Sequence, residues 1–90
     1  MVFLFPAPGR QRFWMYECLI PLDIIWIDAG RTVIHVEESL PICSQQPCPD
    51  YGPESDAFYV LELGAGVARQ AGIRPGMRLT LLFDHPPNPR

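Results

Sequence analysis

Proline and glycine constrain this chain more than any other feature: eleven prolines and seven glycines fall within ninety residues. Proline fixes φ and removes a backbone donor, and glycine supplies the positive φ of tight turns. Long helices are therefore excluded, and short elements joined by turns are expected. A domain of this size buries only about 60% of the surface its unfolded chain exposes, so each core contact matters. The hydrophobic fraction of 48% against a charged fraction of 19% still supports a folded core rather than wholesale disorder.

Strand signals dominate. Leu22 to Ile27 is rich in β-branched and aromatic residues and predicts a strand. Asp28-Ala29-Gly30-Arg31 then supplies a turn, with Asp28 bonding the backbone ahead of it and Gly30 taking the positive φ. Thr32 to Glu37 returns as the second strand of a hairpin. Period two places Thr32, Ile34 and Val36 on its expected core face, with Val33, His35 and Glu37 opposite. From Ser39 to Asp56 the chain holds four prolines, two cysteines and Gly52, which predicts a long ordered loop and a favoured place for a site.

Ala57 to Leu63 predicts a further strand, with Tyr59, Leu61 and Leu63 on one face. Gly64 to Ala71 suffices for two helical turns, and Gly72 stands where a left-handed cap is expected. Ile73 to Gly76 makes a turn, Met77 to Phe83 a final strand, and residues 85–90 a disordered tail. The expected architecture is α+β and mostly β: a small barrel-like sheet, antiparallel or mixed, with one short helix in a single domain over residues 1–84.

Charge and hydropathy exclude several roles. All seven basic residues are arginines, dispersed along a chain of net charge -3, which argues against nucleic acid as a partner. No window approaches the ~20 apolar residues needed to span a bilayer. The apolar start, Met1 to Phe5, ends at Pro6 with no basic stretch before it, so the chain as written carries no secretory signal and reads as cytoplasmic.

Several motifs recur in a recognisable order. They are Phe13-Trp14-Met15, Ile20-Pro21-Leu22-Asp23-Ile24, Ile27-Asp28 with Gly30, Cys43 and Cys48-Pro49 with Tyr51, Tyr59-Val60-Leu61-Glu62, and Gly72-Ile73 with Pro75-Gly76. Together, from the first residues to about Leu82, the chain resembles the domain-of-unknown-function 192 family of bacteria and archaea. The resemblance implies a compact barrel-like α+β domain, often in exported proteins, and no established activity. Two departures stand out. Tyr16, Glu17 and Cys18 replace the family's usual basic residue, Asn and Thr, and Met1 to Pro6 resembles a segment well inside the domain. The chain thus reads as an N-terminally abbreviated member, exported if an upstream signal peptide has been lost.

The residues that carry chemistry are few. Cys43 and Cys48, set among Pro41, Pro47 and Pro49, read as a disulfide, as two free thiols, or as part of a metal site. The metal reading is the weakest, because zinc needs four ligands and only Cys18, His35, Asp50 and His85 remain to complete them. No metal and no cofactor is assigned. Trp14, Tyr16 and Trp26 suggest an aromatic platform; Trp26 lies in a strand and suits the core, leaving Trp14 and Met15 for an exposed or pocket-lining role. Asp23, inside an apolar stretch, either faces solvent or is held by backbone amides or an arginine. It reads first as a carboxylate that fixes the turn into the strand and second as part of a binding pocket, with Glu62 the natural partner.

The leading expectation is a small non-enzymatic binding or accessory domain for a small molecule or protein. Its candidate ligand-binding residues are Trp14, Met15, Asp23, Tyr51 and Glu62, and no catalytic residue is assigned. The alternative is a small hydrolase-like enzyme using Asp23, His35, Glu62 or Cys18, which requires at least two of them to converge in a cleft. An exposed sheet edge, left by the short N-terminus, further predicts a homodimer.

Overall fold

The computed structural model describes residues 2–9, 12–80 and 88–89; for residues 2–8 and 88–89 only the backbone path is described. Its strands are β1 (Val2–Gly9), β2 (Phe13–Trp14), β3 (Leu22–Ile27), β4 (Val33–Leu40), β5 (Asp50–Tyr51), β6 (Ala57–Gly64) and β7 (Asn88–Pro89), with one helix, α1 (Val67–Ala71). Five strands form a sheet in the order β4-β3-β6-β1-β7, antiparallel except for the parallel β1/β7 contact, and β2 pairs with β5 as a separate small sheet. The fold is α+β and mostly β, as expected. The expected barrel is not closed: β4 and β7 are edges of the larger sheet.

β3 is central because its sequence suits burial on both sides. Ile24, Ile25, Trp26 and Ile27 are almost fully inaccessible, and alternate residues feed two different cores. One face joins Ile24 and Trp26 to Met15, Leu40, Ala57 and Val60 beneath the small sheet, with Phe13, Ile34 and Tyr51 packed against them. The other joins Ile25 and Ile27 to Val33 and Ala68, with Val36, Tyr59, Leu61 and Leu63 alongside. Burying each such side chain contributes roughly 1.5–3 kcal/mol, so the paired cores account for why so short a chain folds. The sharing of one face by Tyr59, Leu61 and Leu63 is as expected from period two.

Two bulges alter the expected hairpin. Trp26 faces His35 while Ile27 faces Val33, so Ile34 is an extra residue and the alternation breaks there. Val33 and Val36 consequently point into one core and Ile34 into the other, so the expected common core face of Thr32, Ile34 and Val36 does not form. In the turn, Arg31 N–H donates to Asp28 O and Thr32 N–H to Asp28 Oδ1, each at 2.9 Å. The left-handed residue is Arg31, with φ 67°, rather than Gly30. This is a type I turn followed by a left-handed residue, a common hairpin solution that puts the strain one position later than a glycine-centred turn.

Helix α1 is shorter than predicted, and Gly72 caps it in the left-handed conformation at φ 71°, as its position suggested. Met77 N–H donates to Arg74 O across the expected Pro75-Gly76 turn. The predicted final strand is only partly seen. Residues 77–79 run along the start of β4 through a single bridge, Thr32 to Arg78, and residues 81–83 lie outside the described residues. Of the tail expected to be disordered, 85–87 and 90 are likewise outside, while Asn88 pairs with Phe3 and Pro89 with Leu4 of β1. The prolines at 6 and 8, which cannot donate to a ladder, coincide with the register shift between Leu4 and Gly9.

Candidate functional site

Among the described residues, Asp23 is the one charged group that is fully buried. Its position opposite Leu63 on β6 turns it toward the helical side of the sheet. There Oδ2 accepts the N–H groups of Gly66 at 3.0 Å and Ala68 at 2.9 Å, and Oδ1 accepts Ser39 N–H at 2.7 Å. The second bulge makes this geometry: Leu22 pairs with Leu40 but Ile24 with Glu37, so Ser39 leaves the ladder. Ser39 is held at φ 52°, which turns its amide onto the carboxylate. Gly66, at φ 93°, does the same from the other side. Desolvating a carboxylate costs several kcal/mol, and three charge-assisted bonds to backbone donors are what offset it. Asp23 thus locks β3, the end of β4 and the entrance to α1 together, with no oxygen facing solvent.

The other side of the sheet carries a different assembly. Period two across β2 sends Phe13 and Met15 inward and Trp14 outward; Met15 is 1% exposed and Trp14 49%. Met15 is therefore a core link between the two sheets rather than a pocket-lining group. Tyr51, opposite Phe13, is half-buried against the same core. Trp14 lies against Tyr16, ring centroids 5.3 Å apart. The bridge from Tyr16 to Cys43 ties this strand to the loop after β4, and the N–H groups of Cys18 and Cys43 both donate to Met15 O.

The loop itself is fastened twice. Cys43 and Cys48 form a disulfide, with Cα atoms 6.0 Å apart; a bridge closing so short a loop contributes about 2 kcal/mol in the chain-entropy model. Arg12 reaches back across the sequence to Asp50, donating to both carboxylate oxygens at 3.2 and 3.3 Å, to Asp50 O and to Gly52 O. The hydrogen bond and charge of Arg12 hold the Asp50 carboxyl below its ordinary range, and Asp50 in turn raises Arg12. Elsewhere on the surface large apolar side chains stand in solvent: Leu19 is 92% exposed, Ile20 57% and Ile42 49%. The Leu22–Leu40 pair brings the segments carrying Ile20 and Ile42 side by side.

Asp23 stands apart from the other residues of the hydrolase reading. Asp23 faces the helix, whereas Glu62, opposite Ile24, and His35, opposite Trp26, face the small sheet. Glu62 and Asp23 therefore point to opposite sides, against the pocket expected of them. His35 Nε2 lies 3.0 Å from Glu37 Oε1, its neighbour on the face that period two gave to both. Cys18 is a free, partly buried thiol packed against the core under the small sheet. No cluster of three or more metal-ligating side chains occurs among the described residues, and no described helix is long and apolar enough to cross a membrane.

The family profile of DUF192, described as an uncharacterised ACR, matches residues 1–81. This chain belongs to the DUF192 family. Among solved structures, a protein of unknown function from Novosphingobium aromaticivorans DSM 12444 is 32% identical with a TM-score of 0.75, over 84% of this chain and 52% of that one. A protein of Sinorhizobium meliloti 1021, named as a candidate transcription regulator, is 29% identical with a TM-score of 0.78, over 87% of this chain and 58% of that one. The DUF192 chain thus spans just over half the length of these relatives. A search of curated proteins gave no match.

Sequence reasoning did not find Arg12, nor the exposure of Leu19, Ile20 and Ile42 in the DUF192 domain. Arg12 carries no local signal, since its partner lies 38 residues on. Leu19 and Ile20, within a dense apolar run, carry the same composition as the core strand that follows.

Proposed function

We propose that this DUF192 domain is a non-catalytic binding module for a protein partner. Its contact surface is the apolar rim of Trp14, Tyr16, Leu19, Ile20 and Ile42 beside the disulfide loop. The observation that carries the reading is the exposure of Leu19, Ile20 and Ile42, together with that of Trp14 against the half-buried Tyr16. Clustered apolar surface on a small domain is a mark of an interface, and aromatic groups at its centre typically supply most of the binding energy. The disulfide and the Arg12 clamp support the same reading, because they hold the rim in one geometry and lower the entropy lost on binding. A structural disulfide also favours an oxidising compartment, so the domain works outside the reducing cytosol.

Selection of a random peptide library on the folded domain, followed by fluorescence titration, tests the interface. Selected peptides are expected to perturb Trp14 emission and to bind about tenfold more weakly to the Ile20→Ser variant. Peptides that bind wild type and Ile20→Ser equally would sink the proposal.

Edge pairing between two copies is the second reading. It is favoured by β4, an edge strand whose outer side is bonded only by residues 76–79, at its start, among the described residues. Glu37, Glu38 and the Ser39 bulge on the same strand work against it, as such features protect edges from pairing. A monomer by light scattering at high concentration would remove this reading and leave the first intact.

A further inference from the structure

Five of the arginines lie among the described side chains, and the fold treats them unequally. Arg12 is paired with Asp50 and Arg69 with Glu38. Arg31, Arg74 and Arg78 are exposed and have no carboxylate at ion-pairing distance among the described residues. The backbone segments that carry these three, dispersed in the sequence, meet along one seam. Val33 N–H donates to Met77 O at 2.7 Å, Gly76 N–H to Val33 O at 2.8 Å and Leu79 N–H to Arg31 O at 2.8 Å, and Thr32 bridges Arg78. The nearby carboxylate of Asp28 has Oδ1 engaged by the Thr32 amide within the hairpin turn.

Beside this seam is an open recess of about 380 Å³ lined by Gly72, Arg74, Pro75 and Met77. That volume lies within the range of small-ligand sites. Pro75 and Met77, the latter 40% exposed, give it an apolar wall, and Arg74 opens it onto the positive edge. We infer that this recess binds a small organic phosphate, its phosphoryl group held by Arg74 and its apolar body against Pro75 and Met77, with Arg31 and Arg78 adding positive charge along the neighbouring edge.

The chemistry favours phosphate over a single carboxylate. A phosphate monoester carries close to two charges at neutral pH and several acceptor oxygens, so it gains more than a carboxylate from the Arg74 fork and from the positive edge beside it. The site is independent of the aromatic rim and of the protein partner assigned to it, and it rests on different residues.

Phenyl phosphate is a suitable probe, titrated into the full chain at physiological salt and followed by amide chemical shifts. Saturable shifts confined to Arg31, Thr32 and Gly72 to Leu79 are expected, with binding about fivefold weaker in Arg74→Gln and unchanged in Arg69→Gln. Benzoate, with the same ring and one charge, is expected to bind about fivefold more weakly than phenyl phosphate. Because Arg74 is exposed, spectra of the variant away from the recess should superpose on wild type. Shifts that never saturate, that spread equally to Arg12 and Arg69, or that persist unchanged in Arg74→Gln would overturn the assignment, as would equal affinity for benzoate.

Discussion

Asp23 and Asp50 perform the same topological task by opposite physical means. Each fastens segments far apart in the chain: Asp23 joins β3 to Ser39 and to the start of α1, and Asp50 joins the disulfide loop to Arg12. Asp23 is wholly buried and bonded to three backbone amides. The Asp50 side chain is 63% exposed and bonded to a guanidinium. Water competes for every bond that Asp50 makes and for none that Asp23 makes. The buried aspartate is therefore a structural necessity once the fold exists, whereas the exposed one tunes a loop that the disulfide and the small sheet already hold.

The sharpest way to break this contrast is to remove the buried carboxylate. Asp23→Ala leaves three amide donors without their acceptor in a desolvated site, at a cost on the order of 3–5 kcal/mol, a large share of the stability of a small domain. Urea unfolding followed by circular dichroism should show the midpoint collapse. An Asp23→Ala protein as stable as Asp50→Ala would refute the comparison.

A smaller effect of opposite sign is expected beside it. Ser39 sits at φ 52° to aim its amide at Asp23, a conformation that costs a side-chain-bearing residue about 1–2 kcal/mol. Ser39→Gly removes that strain, keeps the amide, and should stabilise the domain by about 0.5–1 kcal/mol in the same unfolding assay after the entropy cost of glycine is deducted. Destabilisation would mean that the Ser39 hydroxyl matters more than its backbone.

The smallest effect belongs to the exposed pair. Arg12 lowers the Asp50 carboxyl, so whatever stability the pair confers is present above the unfolded value of about 4 and is lost as pH falls through the lower folded value. Carboxyl titration by nuclear magnetic resonance should place the Asp50 midpoint below the ordinary range, and Arg12→Gln should return it upward. The unfolding midpoint at neutral pH should barely move, because exposed pairs are screened by water and salt. A large loss of stability in Arg12→Gln would erase the distinction between the two aspartates.

The sequence determined the local grammar of this protein. β-Branched and aromatic residues in Leu22 to Ile27, the alternation of Tyr59, Leu61 and Leu63, and the Gly72 cap all report conformations set by near neighbours, and each stands where it was expected. The motif order likewise gave the family. Only the tertiary structure decided which side of each strand is buried, because single-residue bulges at Ile34 and Ser39 reverse the alternation and leave little trace in composition. It alone set Asp23 and Glu62 on opposite faces, left Leu19 and Ile20 in solvent, and brought the backbone segments carrying Arg31, Arg74 and Arg78 to one seam. The physical reason is that period and propensity act over a few residues, whereas burial and charge pairing depend on partners tens of residues away, fixed when the sheet forms.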